Sequence, residues 1–275
     1  MSTFLRFPGF KRKAVTLSYD DGTLHDKKLV EIMQKYGLKG TFNLDSELFP
    51  AEPSNYKLSA EEAVELFNGA GMEVAVHGAK HLSLSEMDPA VATRDVLVDR
   101  ENLEKIFGKI IRGMAYACGK YNSSVTEMLR HCGIDYARTT IATHSFALPT
   151  NWLELSPTCH HNDARLFELV DSFINTEEHS YFWRNKPMLF FLWGHSFEFK
   201  NNDNWDVIEK FGEKIGGRDD IWHATNGEIF SYVQAFNRLH FSTNLEYIEN
   251  PSAIDVYVNI IGKERVVPAG QTIKI

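Results

Sequence analysis

An alternation of short apolar runs with longer amphipathic segments limits the fold of this chain more than any other feature. Ala14–Tyr19 (AVTLSY) reads as a buried strand, and Thr23 opens a helix with Leu29, Ile32, Met33 and Tyr36 on one face, stopped at Gly37. Gly40–Leu44 is a second strand, and Ser59 with Glu62 forms a capping box for a helix ending near Gly69–Gly71. Met72–Val76 is a third strand, after which Asp88 and Pro89 supply a cap and an N1 proline for a helix reaching Gly108. Ile111–Tyr116 leads to a helix from Ser124, with Glu127 completing its capping box and Gly133 closing it. Tyr136–Thr140 precedes a helix across Asp163–Asn175, Pro187–Trp193 one near Asn204–Ile215, and Ile221–Ala224 one over Gly227–Leu239. Seven such units imply parallel strands with helices outside. A doubly wound sheet fits the rhythm almost as well as a barrel, but no G-x-G-x-x-G follows the first strand.

The last stretch breaks the rhythm. Ile254–Ile261 and Val266–Ile275 read as strands, with Gly262 and Pro268–Gly270 as turns. They form either a β appendage on the preceding domain or an edge that pairs with another copy in a homo-oligomer.

Composition excludes more than it identifies. A net charge of -8 supplies no basic excess for a phosphate backbone, so nucleic acid is not an expected partner. No stretch approaches about 20 consecutive apolar residues, so no membrane partner is expected. Cys118, Cys132 and Cys159 cannot all pair within the chain, and the N-terminal segment carries no apolar core of a signal peptide; together they predict a cytoplasmic protein.

Residues suited to chemistry collect just after the strands, where a parallel barrel builds its active site. Asp20-Asp21-Gly22 follows the first strand, His77 the third, Tyr116 ends the fourth, Arg138 lies on the fifth and His195 ends the sixth. Asp-Asp-Gly is also a common turn, but two adjacent carboxylates facing one cavity need a cation or a basic side chain between them. His77 and His81 stand four residues apart, and two histidines with one carboxylate are a standard catalytic zinc set. The H-E-x-x-H pattern does not apply, because position 78 is Gly.

SYDDG (18–22), HGAKH (77–81), AYACGKY (115–121) and FFLWGH (190–195) together resemble the successive motifs of the polysaccharide deacetylase, or NodB-homology, family. The resemblance covers roughly residues 14–240. It implies an α/β fold, a distorted (β/α)7 TIM-like barrel over residues 1–240 with a short C-terminal β appendage over 241–275. The implied activity is hydrolytic removal of acetyl groups, from amide or ester, from an acetylated carbohydrate or related small molecule. Relatives of the same fold open cyclic amides or imides, and a glycan-binding module that has lost turnover is the further alternative.

The resemblance also distributes roles. Asp21, His77 and His81 hold one divalent metal ion, with Zn2+ expected and Co2+, Ni2+ or Mn2+ as alternatives. Asp20 is the general base and His195 the general acid, and a backbone N–H in Ala117–Cys118 faces the oxyanion. Two positions depart from the family pattern. Ala115 stands where an arginine paired with the base is usual; Arg138 replaces it better than Arg112, which begins its strand at the far end. Gly78 stands where Ser or Thr usually braces the metal loop, which predicts a looser loop. Tyr116, Cys118, Trp193 and His161 are the expected substrate contacts, although Trp193 suits a core role equally well.

Overall fold

A computed structural model describes residues 3–179, 181 and 185–275. Its central element, β2 (Lys13–Asp20; β1 is Thr3–Arg6), is buried at every position. Val15, Leu17 and Tyr19 pack in the cluster that holds Leu29, Ile32 and Met33 of α1 (Asp26–Lys35). Ala14, Thr16, Ser18 and Asp20, by the period of two, face the other side. That side is the barrel interior. Here Ser18 and Asp20 both accept from Asn43 Nδ2, at 2.8 Å each.

The remaining strands repeat this division. In chain order they are β3 (Gly40–Leu44), β4 (Glu73–Val76), β5 (Gly113–Ala115), β6 (Tyr136–Arg138), β7 (Cys159–His160), β8 (Met188–Gly194) and β9 (Ile221–His223). The parallel sheet runs β6-β5-β4-β3-β2-β8-β7, and β9 also pairs with β2. One edge of β2 is shared: Leu17–Asp20 pair with β3, whereas Lys13–Val15 pair with β9. The segment before β7 closes the other seam, with Leu155 N donating to Ala137 O at 2.9 Å and Thr158 N to Phe191 O at 2.8 Å. This is the distorted (β/α)7 barrel that the resemblance implied.

Helices α2 (Ala60–Gly69), α3 (Pro89–Phe107), α4 (Ser123–His131), α5 (Leu166–Asn175), α6 (Ser196–Asn201), α7 (Asp206–Ile215) and α8 (Asn226–Asn237) complete the units. The Ser59–Glu62 capping box forms, as does the Asp88 cap before Pro89. Three expectations are corrected. The first helix begins at Asp26 rather than Thr23, because Thr23 Oγ1 is held 2.9 Å from Ser196 Oγ instead of capping. Ser124 is not a cap: Asn122, two residues earlier, accepts from Val125 N and takes that place. The fifth unit holds an extra strand, β7, whose two residues carry no periodic signal.

The C-terminal β segment forms an appendage of two three-stranded sheets. One is β1 with β12 (Val256–Ile260) and β13 (Lys263–Val267); the other is β10 (His240–Phe241), β11 (Tyr247–Glu249) and β14 (Thr272–Lys274). The expected strand Val266–Ile275 is therefore two strands. Pro268 lacks an N–H and Gly270 takes φ +67°, so the chain leaves one sheet there and joins the other.

Candidate active site

The interior rows end at one mouth, where Asp20, Asp21, His77, His81, Arg138 and His195 converge. Asp20 is the buried hub. Its Oδ1 accepts from Asn43, and its Oδ2 accepts from Arg138 Nη2. His195 Nε2 and His77 Nε2 lie 3.7 and 3.8 Å from that same Oδ2. Burial pushes the Asp20 carboxyl upward, but Arg138, followed by His77, His195 and Asn43, holds it below the ordinary carboxylate range. Arg138 is fully buried, and its guanidinium lies 4.4 Å from the centre of the Trp193 ring. Arg112, at the opposite end, is exposed and pairs with Asp135.

Asp21 turns out of the strand at φ +79°. Its Oδ1 lies 3.8 Å from His77 Nε2 and 3.6 Å from His81 Nε2. His77 Nδ1 is 2.9 Å from the Ala115 carbonyl, which only accepts, so the proton is on Nδ1 and the Nε2 lone pair faces the aspartates. The two imidazoles meet edge to face at 4.9 Å, and Cys118 Sγ lies 4.0 Å from His81 Nδ1. Asp21, His81 and Cys118 are three of the eight non-glycine residues with positive φ among the described residues. Such unfavourable backbone persists only where surrounding structure enforces it, and here it gathers at one cavity.

The loop carrying the histidines is braced from α3. Asp99 accepts from Ser46 N, His77 N and Gly78 N at 2.7, 3.0 and 2.9 Å, and Asp95 accepts from Lys80 N at 3.1 Å. Gly78, at φ +90°, leaves room for this: a Cβ there would lie 2.6 Å from Asp95 Oδ2. The looser loop expected from Gly78 is thus corrected, since helix carboxylates replace the brace of a Ser or Thr side chain.

Two further groups stand at the site, of which sequence reasoning missed Asp45 and gave Glu198 no role in catalysis. Asp45 follows β3 directly, and its ligating oxygen lies within 4.8 Å of those of Asp21, His77 and His81. Burial first, then Asp21 and Asp99, push its carboxyl up to about 8 against the opposing charge of Lys57. The strand-end rule that singled out Asp20 and His77 applies equally to Asp45. Glu198 is the second: it lies 3.2 Å from His195 Nδ1, 3.1 Å from His160 Nε2 and 2.9 Å from His161 Nε2. Burial lowers the His195 imidazolium, but Glu198, then Asp20 and Asp21, raise it above its ordinary value. These partners favour its protonated form.

Two expected substrate contacts do not reach the cavity. Tyr116 is buried, stacked on Tyr121, with its hydroxyl donating to Leu153 O at 2.7 Å. His161 is buried between Tyr19 and Phe199, and burial lowers it to about 4. Cys118 is exposed beside His81, and Trp193 retains 9% exposure between Arg138 and His160.

Residues 8–137 match the family model described as polysaccharide deacetylase. This segment is similar to the polysaccharide deacetylase family. Its matched span holds Asp20, Asp21, His77 and His81 but ends before Arg138 and His195. In fold, the barrel is similar to the Xyl-CE4 domain of a multidomain xylanase from the hindgut metagenome of Trinervitermes trinervoides (TM-score 0.55, 14% identity, 82% of this chain and 92% of that one). It is also similar to a family 4 carbohydrate esterase from Streptomyces lividans (0.52, 13%, 78% and 93%). The Streptococcus pyogenes deacetylase PplD aligns at TM-score 0.50 and 23% identity over 55% of this chain, which spans 65% of that chain. No curated protein matches the chain in sequence. No described helix is long and apolar enough to cross a membrane.

Proposed function

We propose that this protein is a metal-dependent hydrolase that removes acetyl groups from an N- or O-acetylated carbohydrate. The observation that carries the reading is the arrangement around Asp20. An ionised, arginine-held carboxylate lies between an imidazole that favours its proton and an Asp–His–His cluster with free lone pairs. The cluster fits a divalent ion: its donors are the oxygens and imidazole nitrogens that Zn2+, Co2+ or Ni2+ accept, and His77 is already the required tautomer. When bound by Asp21, His77 and His81, such an ion would polarise the acetyl carbonyl and acidify a water.

The protein's own groups do the proton work. Asp20 accepts the proton of the attacking water, and the Arg138 guanidinium holds the carboxylate in place and ionised. His195 donates from Nε2 to the departing amine or alcohol, while Glu198 fixes its ring through Nδ1. Trp193 packs against the Arg138 guanidinium and is nearly buried, at 9% exposure.

Metal content of purified parent and of the His77→Ala variant tests the reading. Near-stoichiometric metal in the parent and its loss in the variant support it. A parent that stays metal-free after incubation with Zn2+ and Co2+ would favour a binding module that has lost turnover.

A further inference from the structure

Asp45 is the one carboxylate at the mouth with no assigned task, and its surroundings do not explain it as a structural residue. The period of β3 puts Thr41 and Asn43 into the interior, and Asp45 continues that row one step beyond the strand. Its side chain is wholly removed from solvent. Lys57 Nζ approaches its Oδ2 at 3.3 Å, but makes its shorter bond, 2.5 Å, to the Asp21 carbonyl. Oδ1 has no hydrogen-bond partner among the described residues. A buried carboxylate oxygen left without a donor is costly, and native proteins leave very few.

The same carboxylate lies within 4.8 Å of the ligating atoms of Asp21, His77 and His81. Two neighbouring donors on one five- or six-coordinate ion with bonds of about 2.0–2.1 Å would stand roughly 3 Å apart, so small side-chain shifts bring four donors together and leave room for water or substrate. We infer that Asp45 is a fourth protein ligand of the divalent ion, beyond the Asp21, His77 and His81 set. This rests on the metal-centred reading above. Two carboxylates with two imidazoles balance a divalent charge.

Binding of Zn2+ and Co2+ alone to the metal-stripped full chain tests the inference, by competition with a chelating dye, alongside thermal melts of the metal-free proteins. Asp45→Asn, isosteric with the parent, is expected to weaken Zn2+ binding by at least about 10-fold, the loss seen when even indirect supports of a metal site are removed. Lys57→Met removes the cation and no ligand, and is expected to stay within about 3-fold of the parent. Asp45→Cys loaded with Co2+ gains a thiolate-to-cobalt charge-transfer band in the near ultraviolet that parent, with Cys118 present, does not show. Parent-like affinity in Asp45→Asn, or equal losses in Asp45→Asn and Lys57→Met, would overturn the fourth ligand alone. So would an Asp45→Cys protein that binds Co2+ without the band. A parent that binds neither ion would overturn the metal-centred reading itself.

Discussion

Replacing Glu198 by Gln tests whether His195 is set up as a proton donor. Glu198 Oε1 lies 3.2 Å from His195 Nδ1. Coulomb's law at that separation and an effective dielectric near 20 gives a ceiling of about 5 kcal/mol. Glu198 is a quarter exposed, so the charge-assisted hydrogen bond range of about 1.5–3 kcal/mol is the better figure. At about 1.4 kcal/mol per pKa unit, Glu198→Gln should lower the His195 pKa by about 1–2 units, with Asp20 and Asp21 still holding part of the rise. A raised imidazolium contributes fully below its unfolded pKa of about 6.5 and loses that contribution as pH rises through the folded value. The variant narrows that window from the top. Long-range 1H–15N NMR titration of His195 reads the shift directly, and the alkaline limb of kcat/KM should move down with it. A His195 pKa within about 0.3 unit of parent would refute the role given to Glu198.

Arg138→Met leaves Asp20 buried without its main counter-charge; a loss of about 3–5 kcal/mol is expected, or about 6–20 °C in melting temperature, with activity falling as well. Gly78→Ser forces a Cβ toward Asp95 Oδ2 and should cost about 1–3 kcal/mol in chemical denaturation, with part recovered in combination with Asp95→Ala. Asp26 is fully buried, and burial foremost raises it to about 8. An acid raised in the fold stabilises below its unfolded pKa of about 4 and loses that contribution as pH rises toward 8, so Asp26→Asn should stabilise by a few kcal/mol at pH about 8 and little at pH about 4 in paired urea melts.

The barrel was legible because each long unit kept its period, and β3 falls at its expected bounds, Gly40–Leu44. What escaped were pieces too short for a period: β7, two residues with a histidine among them, and α6, six residues packed directly after His195. At the site, residues at strand ends next to glycine turns could be read from the chain, whereas the pairing of Arg138 with Asp20 crosses the barrel interior between β6 and β2, which share no ladder. Asp99 and Asp95 could not be singled out so easily. They occupy the buried face of α3 with Ala92, Val96 and Leu103, where carboxylates at a helical spacing resemble breaks in an apolar stripe rather than supports for a loop. Tyr116 and His161 were misjudged for a related reason. Strand-end position sets the height of a residue in the barrel, but the partner of its polar atom decides whether it faces the cavity.

Acetate release from N-acetylated chito-oligosaccharides and O-acetylated xylo-oligosaccharides, by parent and Asp20→Asn with and without added Zn2+ or Co2+, tests the central claim most directly. Metal-dependent acetate release by the parent and a loss of about 10²-fold or more in Asp20→Asn are expected. A metal-loaded parent that releases no acetate from either sugar but opens a cyclic imide would contradict the carbohydrate assignment while leaving the metal site standing.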